Sequence, residues 1–389
     1  VHRLALLAAI VSLPACAKPP SPTAELSADL AALLDSTVRS TAELPGAMLR
    51  VEAPSLGFSW TKAAGLAQRG GDSLRADQTF RVASMTKTYV AAAILRLVEQ
   101  GKLELDAPIA RHILPASVTT IAKDGYDANR ITVRMLLQHT SGLFDFATQA
   151  TASGSQLQGG YSERVMADPK HRWTRAEQLQ LAIEVGAPYG QPGEVYHYSD
   201  TGYILLGEIL ETVTGLSMQQ AVRDLVGYQR LGVSNTYFET LEPVPTSAGP
   251  RVHQYMGAVD ANDFDASIDL YGGGGLVSDL PDLATFFRAL VRGEVLERRA
   301  TLDSMLAPTP QSAGQPGVGY GMGIGRGEAD GVVCYGHGGF WGTLARHCPE
   351  LDITVVGAVT NNEANAALRA LTQGAIRRVA DAVKQAARS

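Results

Sequence analysis

Strands gather at the two ends of this sequence, and that distribution limits the fold more than any other feature. Residues 26–38 have helical spacing, with Leu26, Leu30, Leu33 and Leu34 on one side. Residues 47–53 and 58–67 then read as strands, interrupted by Pro54 and Gly57. From about residue 103 to 308 the pattern is helical pieces joined by Gly- and Pro-rich loops. They include residues 132–138, a capping-box start at Thr174 and Glu177, residues 201–214, and residues 281–291 after Asp279. Residues 147–160 are polar and Gly/Ser-rich and read as a mobile surface loop. Strands return at 319–325, 332–336, 343–348 and 353–360, and a helix over 363–386 closes the chain. The expected fold class is α+β: an antiparallel sheet drawn from both chain ends, beside a mostly helical lobe over about 103–308.

Inside that frame, Ser84-Met-Thr-Lys87 stands at the start of a predicted helix, with Val90, Ile94, Leu97 and Val98 on its apolar face. Lys87 lies about one turn beyond Ser84, so the two side chains share a face. A serine hydroxyl needs a base to take its proton, and a desolvated lysine supplies one. Helix-terminal N–H groups also favour developing negative charge.

Composition excludes several classes. Of 389 residues, 45% are hydrophobic and 19% charged, with a net charge of −6 and no basic block. Nucleic acid is therefore not an expected partner. No segment offers the roughly 18 apolar residues of a spanning helix. There is no G-x-S-x-G elbow, no H-E-x-x-H and no phosphate-binding loop. Cys334, His337, His347 and Cys348 lack zinc-site spacing, so no metal and no cofactor are expected.

Residues 4–13 form a short apolar run ending in Leu13-Pro14-Ala15-Cys16. It reads as a signal peptide over 1–15, with lipid attached at Cys16 and a proline-rich tether over 16–24. The expected location is the bacterial cell envelope, periplasmic or extracytoplasmic, held to the membrane by a lipid anchor; plain secretion is the alternative. In such an oxidising compartment Cys334 and Cys348 can pair. A hairpin turning at Trp341 would set them face to face across neighbouring strands, while a slip of one residue would separate them.

Three elements follow in order: Ser84-x-x-Lys87, then Tyr198-Ser199-Asp200 before a helix, then His337-Gly338-Gly339 on a late strand. Further local matches are Leu136-Leu-Gln-His-Thr-Ser-Gly-Leu143, the run Pro192 to Tyr203, and Gly273-Gly-Gly-Leu-Val-Ser278. This ordered set resembles the serine penicillin-recognising enzymes. It is most similar to the branch holding class C β-lactamases, D-alanyl-D-alanine carboxypeptidases and related esterases, over about residues 25–385.

The resemblance implies acylation of Ser84, with Lys87 and Tyr198 moving its proton. It implies an oxyanion hole from the backbone N–H groups of Ser84 and Phe340. His337 would replace a lysine that poises Tyr198 and helps bind a substrate carboxylate. Asp200, Gly338 and Gly339 would contact substrate. Apart from the resemblance, Arg326 is a candidate to supply positive charge to a substrate carboxylate, with a solvated strand-end charge as the alternative. Asp200 stands where class C enzymes carry asparagine, which implies ester or D-alanyl turnover ahead of β-lactam turnover. The expected substrate is a small molecule or a peptidoglycan-derived peptide. A β-lactamase and a non-turnover cell-wall sensor are the alternatives.

Overall fold

The computed structural model describes residues 22–147, 159–313 and 319–388. Cys16 and the signal segment lie outside them, as do residues 148–158 of the expected surface loop.

Seven strands form one antiparallel sheet. In spatial order they are Phe58–Gly65, Gly46–Ala53, Ile353–Val359, Thr343–Cys348, Val332–Gly339, Gly325–Ala329 and Gly319–Tyr320. The two chain ends meet where Gly46–Ala53 pairs with Ile353–Val359, with Leu49 opposite Gly357. Alternation fixes which side chain faces which layer. Leu49, Val51 and Val355 point to one side, where Leu30, Leu34, Leu368, Leu371 and Ile376 cover them. Those leucines belong to the terminal helices Pro22–Ser40 and Asn365–Ala386, which lie together on that face. Met48 and Val356 point the other way, into the core shared with Phe286 and Phe287 of helix Leu280–Val291. Each buried leucine or phenylalanine contributes about 1.5–3 kcal/mol, so both faces hold the sheet in one register.

Two expectations change. The tether ends early, because helix Pro22–Ser40 takes in residues 22–24; a proline in the first helical turn has no N–H to waste. Residues 319–325 are not one strand. A two-residue strand, a turn with Gly323 at φ 73°, and the start of strand Gly325–Ala329 share that stretch.

The lobe between the sheet segments is helical, but it also holds a small three-stranded sheet of Phe80–Arg81, Leu276–Ser278 and Tyr237–Phe238. This sheet sits beside the serine turn. Val82 donates its N–H to the Leu276 carbonyl at 2.9 Å.

Candidate active site

Ser84 lies in a 3₁₀ turn, Ala83–Met85, that runs straight into helix Thr86–Glu99. Ala83 is held at φ 47°, left-handed backbone that costs a non-glycine residue ~1 kcal/mol or more. The turn is fixed from two sides. Leu276 donates its N–H to Thr86 Oγ1 at 3.3 Å, and Thr343 Oγ1 donates to the Val82 carbonyl at 3.2 Å. A Cβ on Gly339 would come within 2.1 Å of the Val82 carbonyl oxygen, so glycine lets the hairpin end close on the serine turn.

Lys87 is fully buried. Its Nζ donates to Ser84 Oγ at 2.9 Å and to the Gly273 carbonyl at 2.7 Å. It also forms an ion pair with Asp200 Oδ1 and lies 4.9 Å from the centre of the Tyr198 ring. Burial and the negative charge of Asp200 push the Tyr198 hydroxyl well above the ordinary phenol range, while neighbouring Ser84 pulls the other way. Tyr198 is therefore a neutral phenol at rest, suited to giving a proton.

His337 is buried near the end of strand Val332–Gly339. Its Nδ1 lies 2.6 Å from the Gly338 carbonyl and its Nε2 lies 2.9 Å from Tyr320 Oη. A carbonyl only accepts, so Nδ1 carries the proton and Nε2 accepts from the tyrosine. Burial first, then the charge of Lys87, hold its pKa down to about 4. A histidine held that low is neutral at pH 7 and brings no charge to a substrate carboxylate. Nor does it bond Tyr198; their rings are 6.3 Å apart, and its partner is Tyr320. Arg326 also moves out of the site. It is exposed on strand Gly325–Ala329 and lines an adjoining depression that shares His337 and Gly338 with the Ser84 cavity.

A cavity of about 440 Å³ opens on Ser84, Tyr198, Asp200, His337, Gly338 and Phe340. Ser84 and Phe340 thus border the same space. Trp341, Ile268, Met256 and Val165 give it an apolar side. Gly339 does not border it; its place is the close approach to Val82. Cys334 and Cys348 are joined across the hairpin of strands Val332–Gly339 and Thr343–Cys348. Tyr335 pairs with His347, and one step further along that register Cys334 meets Cys348. Among the described residues, no group of three or more His, Cys, Asp or Glu side chains is placed to hold a metal ion.

Sequence reasoning missed three residues. Asp145 and Asp269 line the cavity. Burial and the neighbouring charge of Asp200 push each carboxyl up to about 7. His139 lies behind Tyr198, their ring centres 4.2 Å apart, and its Nδ1 accepts the Ser199 N–H at 3.1 Å. It occupies left-handed backbone at φ 56°. A histidine within the Leu136–Leu143 match was the only signal available for it.

A family model described as Beta-lactamase matches residues 56–380. The chain is 35% identical over 221 residues to the esterase EstB of Burkholderia gladioli, covering 57% of this chain and 53% of that protein. It is 31% identical over 191 residues to Penicillin-binding protein 4 of Amycolatopsis lactamdurans, covering 48% and 43%. The chain thus spans about half the length of these curated relatives. Among solved structures, a D-stereospecific amidohydrolase from Streptomyces sp. superposes with a TM-score of 0.71 at 28% identity, over 86% of this chain and 94% of that one. With the family model running through both sheet segments and the lobe between them, the chain belongs to the beta-lactamase family.

Proposed function

We propose that this protein is an exported serine hydrolase that takes the acyl group of small esters or amides onto Ser84. One observation carries the reading: Lys87 Nζ lies 2.9 Å from Ser84 Oγ beside a cavity large enough for a small acyl donor. Ser84 Oγ attacks the acyl carbon, and the backbone N–H groups of Ser84 and Phe340 receive the oxyanion. The serine proton passes through the Lys87–Tyr198 pair to the leaving alcohol or amine, which departs neutral. Water attacks the acyl-enzyme by the reverse route, and Ser84 regains its proton.

Charge favours esters and amides over D-alanyl-D-alanine peptides and β-lactams. The last two present a carboxylate, yet no lysine or arginine lines the cavity among the described residues. His337 is neutral, and Arg326 lies on the far side of it, in an adjoining depression and not in the cavity itself. Two of the relatives, an esterase and an amidohydrolase, are named for such substrates, while Penicillin-binding protein 4 is named for the other class. The test is a turnover panel of short p-nitrophenyl esters, amino-acid amides, D-Ala-D-Ala peptides and a chromogenic cephalosporin. A fluorophosphonate should label Ser84, and Ser84→Ala should lose labelling and turnover together. Labelling without turnover of any substrate would favour the sensor. A cephalosporin hydrolysed with higher kcat/KM than every ester and amide would overturn the substrate preference.

The location follows from residues 1–16. We infer that residues 1–15 are a signal peptide, that Cys16 carries lipid, and that residues 25–385 are the hydrolase domain. The Cys334–Cys348 bond supports an oxidising compartment. Cys16→Ser should release the protein from the membrane fraction. Wild-type protein found wholly in the soluble fraction would remove the anchor.

A further inference from the structure

The Ser84 hydroxyl must give up a proton, and the groups nearest to it are already protonated. Lys87 donates to Ser84 Oγ and to the Gly273 carbonyl, and the ion pair with Asp200 occupies the ammonium's remaining side. An ammonium has three donors and no lone pair with which to accept. Tyr198 is a neutral phenol, held so by burial first and then by the charge of Asp200. Tyr161, Tyr196 and Tyr203, all pushed up by burial, are neutral phenols too. His337 Nε2 accepts from Tyr320, and His139 Nδ1 accepts from Ser199. Asp145 and Asp269, pushed up to about 7 by burial and then by Asp200, make no hydrogen bond or ion pair with Ser84 or Lys87 among the described residues. Among those residues, Asp200 is the ionised acceptor in contact with the Ser84–Lys87 pair.

Asp200 is held for that contact. It opens helix Asp200–Thr214, where the helix dipole favours a negative charge. Its backbone N–H donates to Asp145 Oδ1 at 3.0 Å. A Cβ on Gly273 would come within 2.9 Å of Asp200 Oδ1. Glycine at 273 therefore leaves room for the carboxylate, while its carbonyl keeps Lys87 Nζ from turning away. The Asp200 side chain also borders the cavity, so small solutes can reach it.

We propose that Asp200 stores the Ser84 proton during acylation, receiving it through Lys87. One Nζ proton passes to the Asp200 carboxylate, and the lone pair it leaves takes the proton of Ser84 Oγ. The Ser84 oxygen then bonds to the acyl carbon, whose carbonyl electrons move onto the oxyanion. When that pair returns, the bond to the leaving group breaks. The stored proton goes back to Lys87, and the Lys87–Tyr198 pair delivers one proton to the departing alcohol or amine. The carboxylate, ammonium and phenol are thereby restored, and water repeats the sequence on the acyl-enzyme. An asparagine amide at position 200 has no lone pair basic enough to serve as this store.

The inference rests on the hydrolase reading, and the tests separate the two. No labelling of wild-type Ser84 by a fluorophosphonate would sink the hydrolase reading itself. With labelling in hand, single-turnover release of p-nitrophenol is followed in H2O–D2O mixtures. The wild-type rate should curve with deuterium content, as two protons in flight require; a linear or absent dependence overturns the relay. Asp200→Asn leaves neutral Lys87 as the base, so the acid limb of the acylation rate should move up by more than ~1 pH unit, because an ammonium loses its proton far above a carboxylic acid. An unmoved limb overturns the relay. A limb that moves down also overturns it, since Asp145 and Asp269 would titrate lower once relieved of Asp200's charge. Asp200→Ala should slow acylation at pH 7 by ~10²-fold, and added formate should recover at least ~10-fold of it, which a packing role for the side chain would not allow. A variant with wild-type Tm that formate leaves unchanged counts against the relay, and should Asp200→Ala fail to fold, the wild-type isotope dependence decides.

Discussion

The lobe side of the cavity carries Asp145, Asp200, Asp269 and Tyr198, with Lys87 behind them, whereas the sheet side offers His337, Gly338 and Phe340. The first is crowded with groups that can exchange protons. The second is neutral at pH 7: an imidazole that burial keeps uncharged, and strand-end backbone. Both are rigid, but for different reasons. The lobe side is tied by polar contacts such as Asp200 N–H to Asp145, and the sheet side by strand pairing and a disulfide. On the proposed mechanism, proton transfer falls to the lobe and the shape of the oxyanion site to the sheet.

The largest effects should fall on the lobe side. Lys87→Ala and Tyr198→Phe should each slow acylation by ~10²–10⁴-fold, the usual loss for a positioned proton-transfer group. Single-turnover release of p-nitrophenol measures it. If His337→Gln cost as much, the division of labour between the two sides would break.

A smaller loss is expected from His139. His139→Leu removes the acceptor for the Ser199 N–H and should lower kcat by ~10-fold with KM held. His139→Asn retains an acceptor near the Nδ1 position and should recover most of the rate. Equal loss in both variants would reduce His139 to a packing residue.

On the sheet side the disulfide should matter to stability rather than rate. Its sequence separation is 14, and the paired Cys334→Ser and Cys348→Ser variant should unfold with ~3 kcal/mol less stability. Its turnover well below the melting temperature should stay near wild type. A collapse of kcat in a folded double variant would show that the hairpin needs the bond to shape the oxyanion site.

The smallest effect concerns pH. The unfolded His337 takes a proton near ~6.5, but the folded one only near about 4. Between those values the unfolded chain binds the extra proton, so His337 contributes full stability above ~6.5 and loses it as pH falls toward 4. Asp145 and Asp269 work with the opposite sign, since their folded carboxyls, at about 7, already hold protons in that window. His337→Gln should therefore lose less Tm than wild type as pH drops from 6.5 toward 4, and should change kcat only a few-fold. A wild-type activity step near 6.5 that vanished in this variant would mean that the histidine titrates in the open and that the sheet side carries charge.

The sequence disclosed some of this and concealed the rest for physical reasons. Helix spacing made Ser84 and Lys87 neighbours before any coordinates, because one turn of helix is a local fact. The cysteine pair was legible because positions 334 and 348 lie evenly about the turn at Phe340–Gly342. Asp145 and Asp269 were not legible. They stand in irregular segments without a period, and only tertiary folding brings them to one space. The lobe's small sheet escaped because strands of two or three residues show no alternation. His337 borders the cavity, but its charge depends on burial and on Lys87, neither of which the motif records.

The pairing of Gly46–Ala53 with Ile353–Val359 also governs when the protein becomes reactive. A ribosome makes Ser84 and Lys87 early and the hairpin that borders them nearly last. Until the final strands arrive, Val82 has no Thr343 to meet, and Phe340 cannot face the serine. A growing chain therefore carries Ser84 and Lys87 before the hairpin that borders them exists. Joining strands so distant along the chain is also slow, because a long loop must close before its contacts repay the entropy. The site is thus complete only once the last strands have docked.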